Sequence, residues 1–448
     1  MTVPTKKVNG TSPSLLALNQ VKKEAQISFE DREFWWSALA DPLATLLQNR
    51  EYPHDVQLQY LRWFQKWIPA ALGPRPISGQ PFYGSWLTYD RSAVEYSINW
   101  KEKSPRQTVR FTLEPTSSKS GTPADPLNQL GAQEFLTGIA PDVPGLDLAR
   151  FNDFLAATYI PDEGVEAAAA KHPAGFPRSR VWVAFDLDRA GRAVAKAYFL
   201  PHWRALHTGI PARQIVSDAI LACSGPLGSY ETSVAALNDY LDTTSFAPGA
   251  APEIALLSND CVVADAASRI KVYVRSEADT LAKARDMFHL GGRLRGPVVA
   301  ECLAAIRDFW YHLFGLDSAD PGADDKVVLG GHGCVLVYEM RPTPLPLADG
   351  ATAAVAPDIE VKLHIPVWEL GKTDAEIGEL MAAWFHAHGH PELAASYQSD
   401  LAATFPKHPL STAGGTHTFI SLTYTPKTGL YMTTYYTTKL PELYFPLD

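Results

Sequence analysis

Cysteine is scarce and scattered. Cys223, Cys261, Cys302 and Cys334 are the four in the chain, and no two form a CxxC pair. That spacing offers no disulfide framework and no structural zinc site, and it suits a reducing compartment. Long apolar runs are missing as well. No segment approaches the roughly 18 uninterrupted apolar residues of a membrane-spanning helix. The leading "MTVPTKKVNGTSPSLLALNQVKKEAQ" lacks the apolar stretch of a secretory signal. Positive charge is in deficit too, and a formal net charge of −10 leaves no basic surplus for neutralising nucleic-acid phosphates. These absences predict a soluble cytoplasmic protein with neither a nucleic-acid nor a membrane partner. They also leave the Asn9-Gly10-Thr11 sequon unused. Residues 1–26 are expected to be loosely ordered ahead of a single domain over 27–448. A homodimer is compatible with the sequence and not specified by it.

What is present is a long, well-hidden repeat. "DREFWWSALADPLATLLQ" and "DVQLQYLRWFQKWIPAAL" place apolar residues at helical spacing, and the strand-like "AVEYSINW" and "TVRFTLEP" follow them. The plan recurs four times. Helices are predicted over about 127–139 and 146–158, then strands over 180–187 and 193–200. Next come helices over about 211–223 and 228–242 with strands over 253–258 and 268–275. Helices over about 280–290 and 297–315 precede strands over 333–340 and 359–366. Helices over about 374–387 and 391–404 precede strands over 416–424 and 429–437. Only pattern survives between the units, which is how long repeats escape notice. Strands joined by short turns pair antiparallel, and closing ten of them into a barrel removes exposed edges. The expected fold is α+β: five ααββ units forming a ten-stranded antiparallel barrel, helices outside and a ligand chamber inside.

The strand faces say which side is which. In "SRIKVYVR", Arg269, Lys271 and Tyr273 oppose Ile270, Val272 and Val274. In "VRFTLE", Arg110, Thr112 and Glu114 oppose Val109, Phe111 and Leu113; in "AKAYFL", Lys196 and Tyr198 oppose Ala197 and Phe199. Lys362 and His364 oppose Val361, Leu363 and Ile365, while Tyr431, Thr433 and Tyr435 oppose Met432, Thr434 and Tyr436. Amphipathic helices need an apolar surface, so the apolar faces turn outward and the polar faces line the lumen. The alternative is that these strands face water, or that each cation pairs with an internal carboxylate. Several buried cations without partners would each carry a penalty of several kcal/mol, so an anionic ligand is expected. A diphosphate suits an arginine fork and lysine point charges. In "VEYSINW", Glu95, Ser97 and Asn99 share a face, and Glu95 enters the same lumen either as a salt-bridge partner or as an acceptor for an N–H or O–H.

The ordered set "VEYS…VRF…KAYFLP…SRIKVY…LGGRLRGP…VKLHIPV…GLYMTTYY" resembles the fungal aromatic prenyltransferases of the dimethylallyltryptophan synthase family, over nearly the whole chain. The resemblance implies the ABBA barrel and a metal-independent transferase of secondary metabolism. Its activity is movement of a dimethylallyl group from dimethylallyl diphosphate, a co-substrate, onto an aromatic ring. No DDxxD motif of the magnesium-dependent kind is present, and no cofactor is implied. By resemblance, Arg110, Lys196, Arg269, Lys271 and Lys362 hold the diphosphate. Tyr198, Tyr273, Tyr431 and Tyr435 screen the allylic cation, and Glu95 accepts the indole N–H hydrogen bond. Candidate acceptor-binding positions are Thr112, Val183, Leu200 and His364.

Three of these depart from the family pattern. His364 stands where the family often has tyrosine. Val183 falls near a lysine implicated in rearomatisation, and Leu200 replaces a tyrosine that reads the amino-acid carboxylate. No Lys or Arg occurs from Leu241 through Ser268, where the family's carboxylate-reading arginine lies. An unpaired buried carboxylate is costly, so free tryptophan is expected to be a poor acceptor. A tryptophan-containing cyclic dipeptide or an indole alkaloid is favoured. A phenolic or xanthone-type acceptor and a noncatalytic aromatic-ligand barrel remain as alternatives.

Other signals carry less. His386, His388 and His390 alternate on a helix end and point apart, so no shared metal site is expected. "GGHGC" at 330–334 lacks the lysine of a phosphate loop. Trp35, Trp36, Trp63 and Trp67 are expected in the core.

Overall fold

A computed structural model describes residues 15–24, 29–77, 81–173, 178–247, 249–345 and 356–444. The sequon and most of the leading 1–26 segment lie outside the described residues. The part within them corrects the expectation of loose chain. Leu16–Glu24 is a helix, α1, whose Ala17, Leu18 and Val21 are buried, with Lys22 bridging Asp41 and Glu24 bridging Arg62. One short apolar stripe, too brief to register as a period, suffices to dock it.

The first unit is α2 (Glu30–Asn49), α3 (His54–Ala71), β1 (Val94–Lys101) and β2 (Ser104–Leu113). The second is α4 (Gly131–Ile139), α5 (Ala149–Thr158), α6 (Asp162–Ala169), β3 (Val181–Leu187) and β4 (Ala193–Phe199). The third comprises α7 (His202–Thr208), α8 (Ala212–Leu221), α9 (Glu231–Thr243), β5 (Glu253–Asp260) and β6 (Ile270–Arg275). Then come α10 (Leu281–Phe288), α11 (Pro297–Phe314), β7 (Val335–Met340) and β8 (Ile359–Pro366). The last holds α12 (Asp374–Ala387), α13 (Pro391–Thr404), β9 (His417–Thr425) and β10 (Gly429–Thr437). Local chemistry sets several ends. Thr373 and Glu376 form a reciprocal capping box at α12. Pro297 opens α11, and Gly315, at φ +62°, closes it in the left-handed region that glycine alone enters freely. The short α6 and α7 went unpredicted. They cover a small separate cluster of Leu127, Ile160, Val165, Ala168 and Trp203.

The strands close in the order β1-β10-β9-β8-β7-β6-β5-β4-β3-β2, every neighbour antiparallel. The outward faces are the hydrophobic ones. Phe111 and Phe185 stack side by side and meet Trp63 and Phe64 of α3, with Trp36 of α2 behind them. Rings at these separations add about 0.5–1.5 kcal/mol per pair to simple burial. Trp35 and Trp36 are thus core, as expected, while Trp63 and Trp67 pack against it half-buried and Trp67 donates to Asp142. The lumen face is less tightly covered than the outer one. Tyr198, Tyr273, Tyr431 and Tyr435 all keep accessible surface, whereas their outward neighbours Ala197, Val272, Val274 and Met432 keep almost none.

Candidate active site

Antiparallel register puts directly paired residues on one face, so the pairing reads off the chamber wall. Ser97 faces Arg110, and Arg110 faces Asp186. Ala184 faces Lys196, and Lys196 faces Asp260. Ser258 faces Lys271, Lys271 faces Glu339, and Val337 faces Lys362. Arg269, one residue ahead of β6, joins the same group. All five predicted cations therefore gather at one level of the lumen, around its wall.

They do not stand alone, which corrects the premise that they lack partners. Asp186 bridges Arg110 at 2.8 Å and Lys196 at 2.6 Å. Asp260 bridges Arg269 at 3.0 Å and Lys271 at 2.6 Å. Glu339 bridges Arg269 at 2.7 Å and Lys362 at 2.6 Å. Sequence reasoning missed these three carboxylates, although the signal was there. Each is the lone acid at lumen parity on the first strand of its unit, in "VWVAFDL", "EIALLSND" and "VLVYEM". Five cations against three carboxylates leave two positive charges in surplus.

Ionisation follows from that crowding. Burial alone would raise Asp186, but Arg110 and Lys196 outweigh it and hold the carboxyl at about 2. Asp260 and Glu339 are likewise held below the carboxylate range by their lysine and arginine neighbours, against burial. Lys196 moves the other way, down to about 8, because burial and the nearby Arg110 and Lys271 exceed its attraction to Asp186. The two directions are consistent: one carboxylate serves two cations, so it is over-stabilised while each cation receives a share.

Beside the cations lies an aromatic wall. Tyr198 and Tyr273 meet edge to face at 5.8 Å, Tyr273 lies 6.1 Å from His364, and His364 lies 5.6 Å from Tyr435. Phe419, which the sequence reading missed, extends the wall 6.3 Å beyond His364. Tyr431 stands apart from its three companions. Its hydroxyl accepts from Arg110 Nη2 at 2.7 Å, and Lys362 Nζ sits 4.9 Å from its ring centre. Burial opposes ionisation there, yet Arg110 and Lys362 bring its phenol down to about 8. Tyr431 thus belongs to the cationic cluster.

Glu95 is buried and accepts a 2.9 Å hydrogen bond from Thr418 Oγ1. Burial, reinforced by Asp90, lifts its carboxyl to about 8. It is not a salt-bridge partner of any of the five cations. Thr112 faces it directly across the β1–β2 ladder. Leu200, buried just past β4, has the parity of Lys196 and Tyr198, and its amide donates to the carbonyl of Arg180. Val183 contradicts its expected role. It points outward into the hydrophobic core, paired with Ala197 and Leu113, because its parity is that of Phe185 and opposite to that of Asp186. The misplacement came from judging position along the strand without its face. Among the described residues, no cluster of metal-ligating side chains is present, and no helix is long and apolar enough to cross a membrane.

With this geometry in hand, comparison with known proteins is direct. The tryptophan dimethylallyltransferase family model matches residues 31–400. The chain is 55% identical over 447 residues to prenyltransferase iacE of Pestalotiopsis fici, covering 99% of this chain and 100% of that one. It is 32% identical over 417 residues to a 7-dimethylallyltryptophan synthase of Aspergillus fumigatus, covering 90% and 84%. Among solved structures, AnaPT from Neosartorya fischeri superposes with a TM-score of 0.79 at 25% identity, covering 94% of this chain and 97% of that one. These relatives are transferases, which leaves the noncatalytic barrel without support. The chain belongs to the tryptophan dimethylallyltransferase family and is a prenyltransferase with the ABBA barrel.

Proposed function

We propose that this enzyme ionises dimethylallyl diphosphate and delivers the allylic cation to an indole ring by electrophilic aromatic substitution. The observation that carries the reading is the surplus of two positive charges, bordered by the aromatic wall. As the C–O bond breaks, negative charge grows on the leaving diphosphate, where Arg110, Lys196, Arg269, Lys271 and Lys362 are already oriented. A preorganised donor of this kind is worth about 3 kcal/mol. Tyr431 extends the cluster with a hydroxyl fixed by Arg110. Tyr198, Tyr273 and Tyr435 present ring faces to the cation, each worth roughly 1–2 kcal/mol by cation–π attraction, and keep water from it. Glu95, once ionised, accepts the acceptor's N–H and raises electron density in its ring. Protein side chains supply the neutralising charge, so turnover is expected to persist in EDTA.

A similar chain is named for tryptophan as substrate. Leu200 and the cation-free stretch from Leu241 through Ser268 favour an acceptor without a free carboxylate, such as a tryptophan-containing cyclic dipeptide or an indole alkaloid. The test is incubation with dimethylallyl diphosphate and EDTA against tryptophan, cyclic dipeptides, other indoles and phenols, read by mass spectrometry. Brisk conversion of tryptophan would remove the carboxylate argument, and conversion of phenols alone would replace indole with a phenolic acceptor. Glu95→Gln should abolish most turnover while diphosphate affinity stays, and an active E95Q enzyme would refute the role given to Glu95.

A further inference from the structure

Electrophilic substitution ends with loss of a ring proton, and a base is needed at the aromatic wall. The candidates narrow quickly. Val183 faces the outer core. Asp186, Asp260 and Glu339 are committed to cations on the diphosphate side. Glu95 is assigned to the acceptor's N–H. His364 is different: it is buried, its Nε2 lies 3.3 Å from the Tyr435 hydroxyl, and its Nδ1 is buried with no hydrogen-bond partner. Tyr273, Tyr435 and Phe419 surround the imidazole, so it stands within the aromatic wall.

We propose that His364 is the catalytic base that rearomatises the alkylated ring, accepting the proton on Nδ1 while Nε2–H is held by Tyr435. This rests on the prenyl-transfer reading above. The C–H bond at the alkylated carbon breaks, its electron pair returns to the ring, and an N–H bond forms at Nδ1. The imidazolium then passes its proton to the diphosphate released from the donor, which restores neutral His364. Burial first, and Lys362 second, hold the resting imidazole neutral, down to about 3. A weak base is adequate here, because a ring carrying both a proton and a prenyl group at one carbon is a strong acid. The same repulsion from Lys362 makes the imidazolium transient and favours onward transfer.

The experiment compares wild type, His364→Phe and His364→Gln with dimethylallyl diphosphate. The acceptors are L-tryptophan and cyclo-(L-Trp-L-Pro), each with the indole ring protiated or fully deuterated. In wild type, ring deuteration should leave kcat nearly unchanged, because proton loss is fast. In both variants kcat should fall about 100-fold, the usual worth of a positioned base. A primary deuterium isotope effect should emerge, with KM for the donor unchanged. Stabilisation by inorganic diphosphate equal to that of wild type verifies an intact chamber, and His364→Gln carries the test if His364→Phe fails to fold. Full activity in a folded variant, or reduced activity without an isotope effect, overturns the assignment while leaving prenyl transfer intact. A wild type that prenylates neither acceptor nor any other indole or phenol overturns both.

Discussion

Glu95 is buried at a cost to stability, and that cost depends on pH in a way Glu95→Gln removes. The unfolded chain ionises this carboxyl near its ordinary 4.5, whereas burial holds the folded group to about 8. Below 4.5 both states keep the proton, and the residue does not affect stability. Between 4.5 and 8 the unfolded state sheds its proton first, so stability falls as pH rises; above 8 the full loss stands. At about 1.4 kcal/mol per pH unit of separation, the ionised side chain costs on the order of 5 kcal/mol. Glutamine keeps the Thr418 hydrogen bond, since its amide oxygen accepts as the carboxylate oxygen did. Its new N–H₂ group shifts the absolute stability by an amount that does not vary with pH. The stability of E95Q relative to wild type should therefore grow by roughly 3–4 kcal/mol between pH 5 and pH 9. Urea midpoints at both pH values, with unchanged slopes, read this out. A difference that stays flat across that range would refute the claim that Glu95 is a desolvated carboxyl.

Two further outcomes follow from the site. Lys196, depressed to about 8 by burial and by Arg110 and Lys271, must be charged to receive the donor, so kcat/KM for dimethylallyl diphosphate should fall as pH rises through 8. Lys196→Arg, always charged, should flatten that limb of the profile, and a limb that survives the substitution rules Lys196 out as its source. Val183→Ala should lower stability by about 1–3 kcal/mol through lost core packing and leave KM for every acceptor unchanged; a selective acceptor effect would place Val183 in the chamber after all.

The barrel was legible because its two periods are strong and act together. Helical spacing and strand alternation recur five times, and amphipathic helices dictate which strand face turns outward. What failed to show was short or depended on face. Helices α1, α6 and α7 are short and stand outside the repeating two-helix plan, ahead of the paired helices or between them. Val183 sits one residue from lumen parity, and one residue reverses a strand side chain completely. Asp186, Asp260 and Glu339 are visible as letters, but each is a single acid near the end of a largely apolar first strand, and the cations of the second strands dominate the pattern. Tyr431 shares a face with Tyr435, and nothing in sequence separates a tyrosine among lysines from one among aromatics.

The three overlooked acids change how the chamber works. Unpaired cations would bind diphosphate tightly and uniformly, lowering the ground state as much as the transition state and gaining nothing in turnover. They would also cost the empty protein several kcal/mol each. Pairing removes most of that cost and fixes each ammonium and guanidinium in place before the donor arrives. In the proposed reaction the donor would then meet a field whose surplus is two charges. As the C–O bond ionises, negative charge concentrates on the leaving group, and the fixed N–H groups respond without rearranging, which is where electrostatic preorganisation has its largest effect. On the proposed function, the carboxylates would thus restrain binding so that the cations can favour bond breaking.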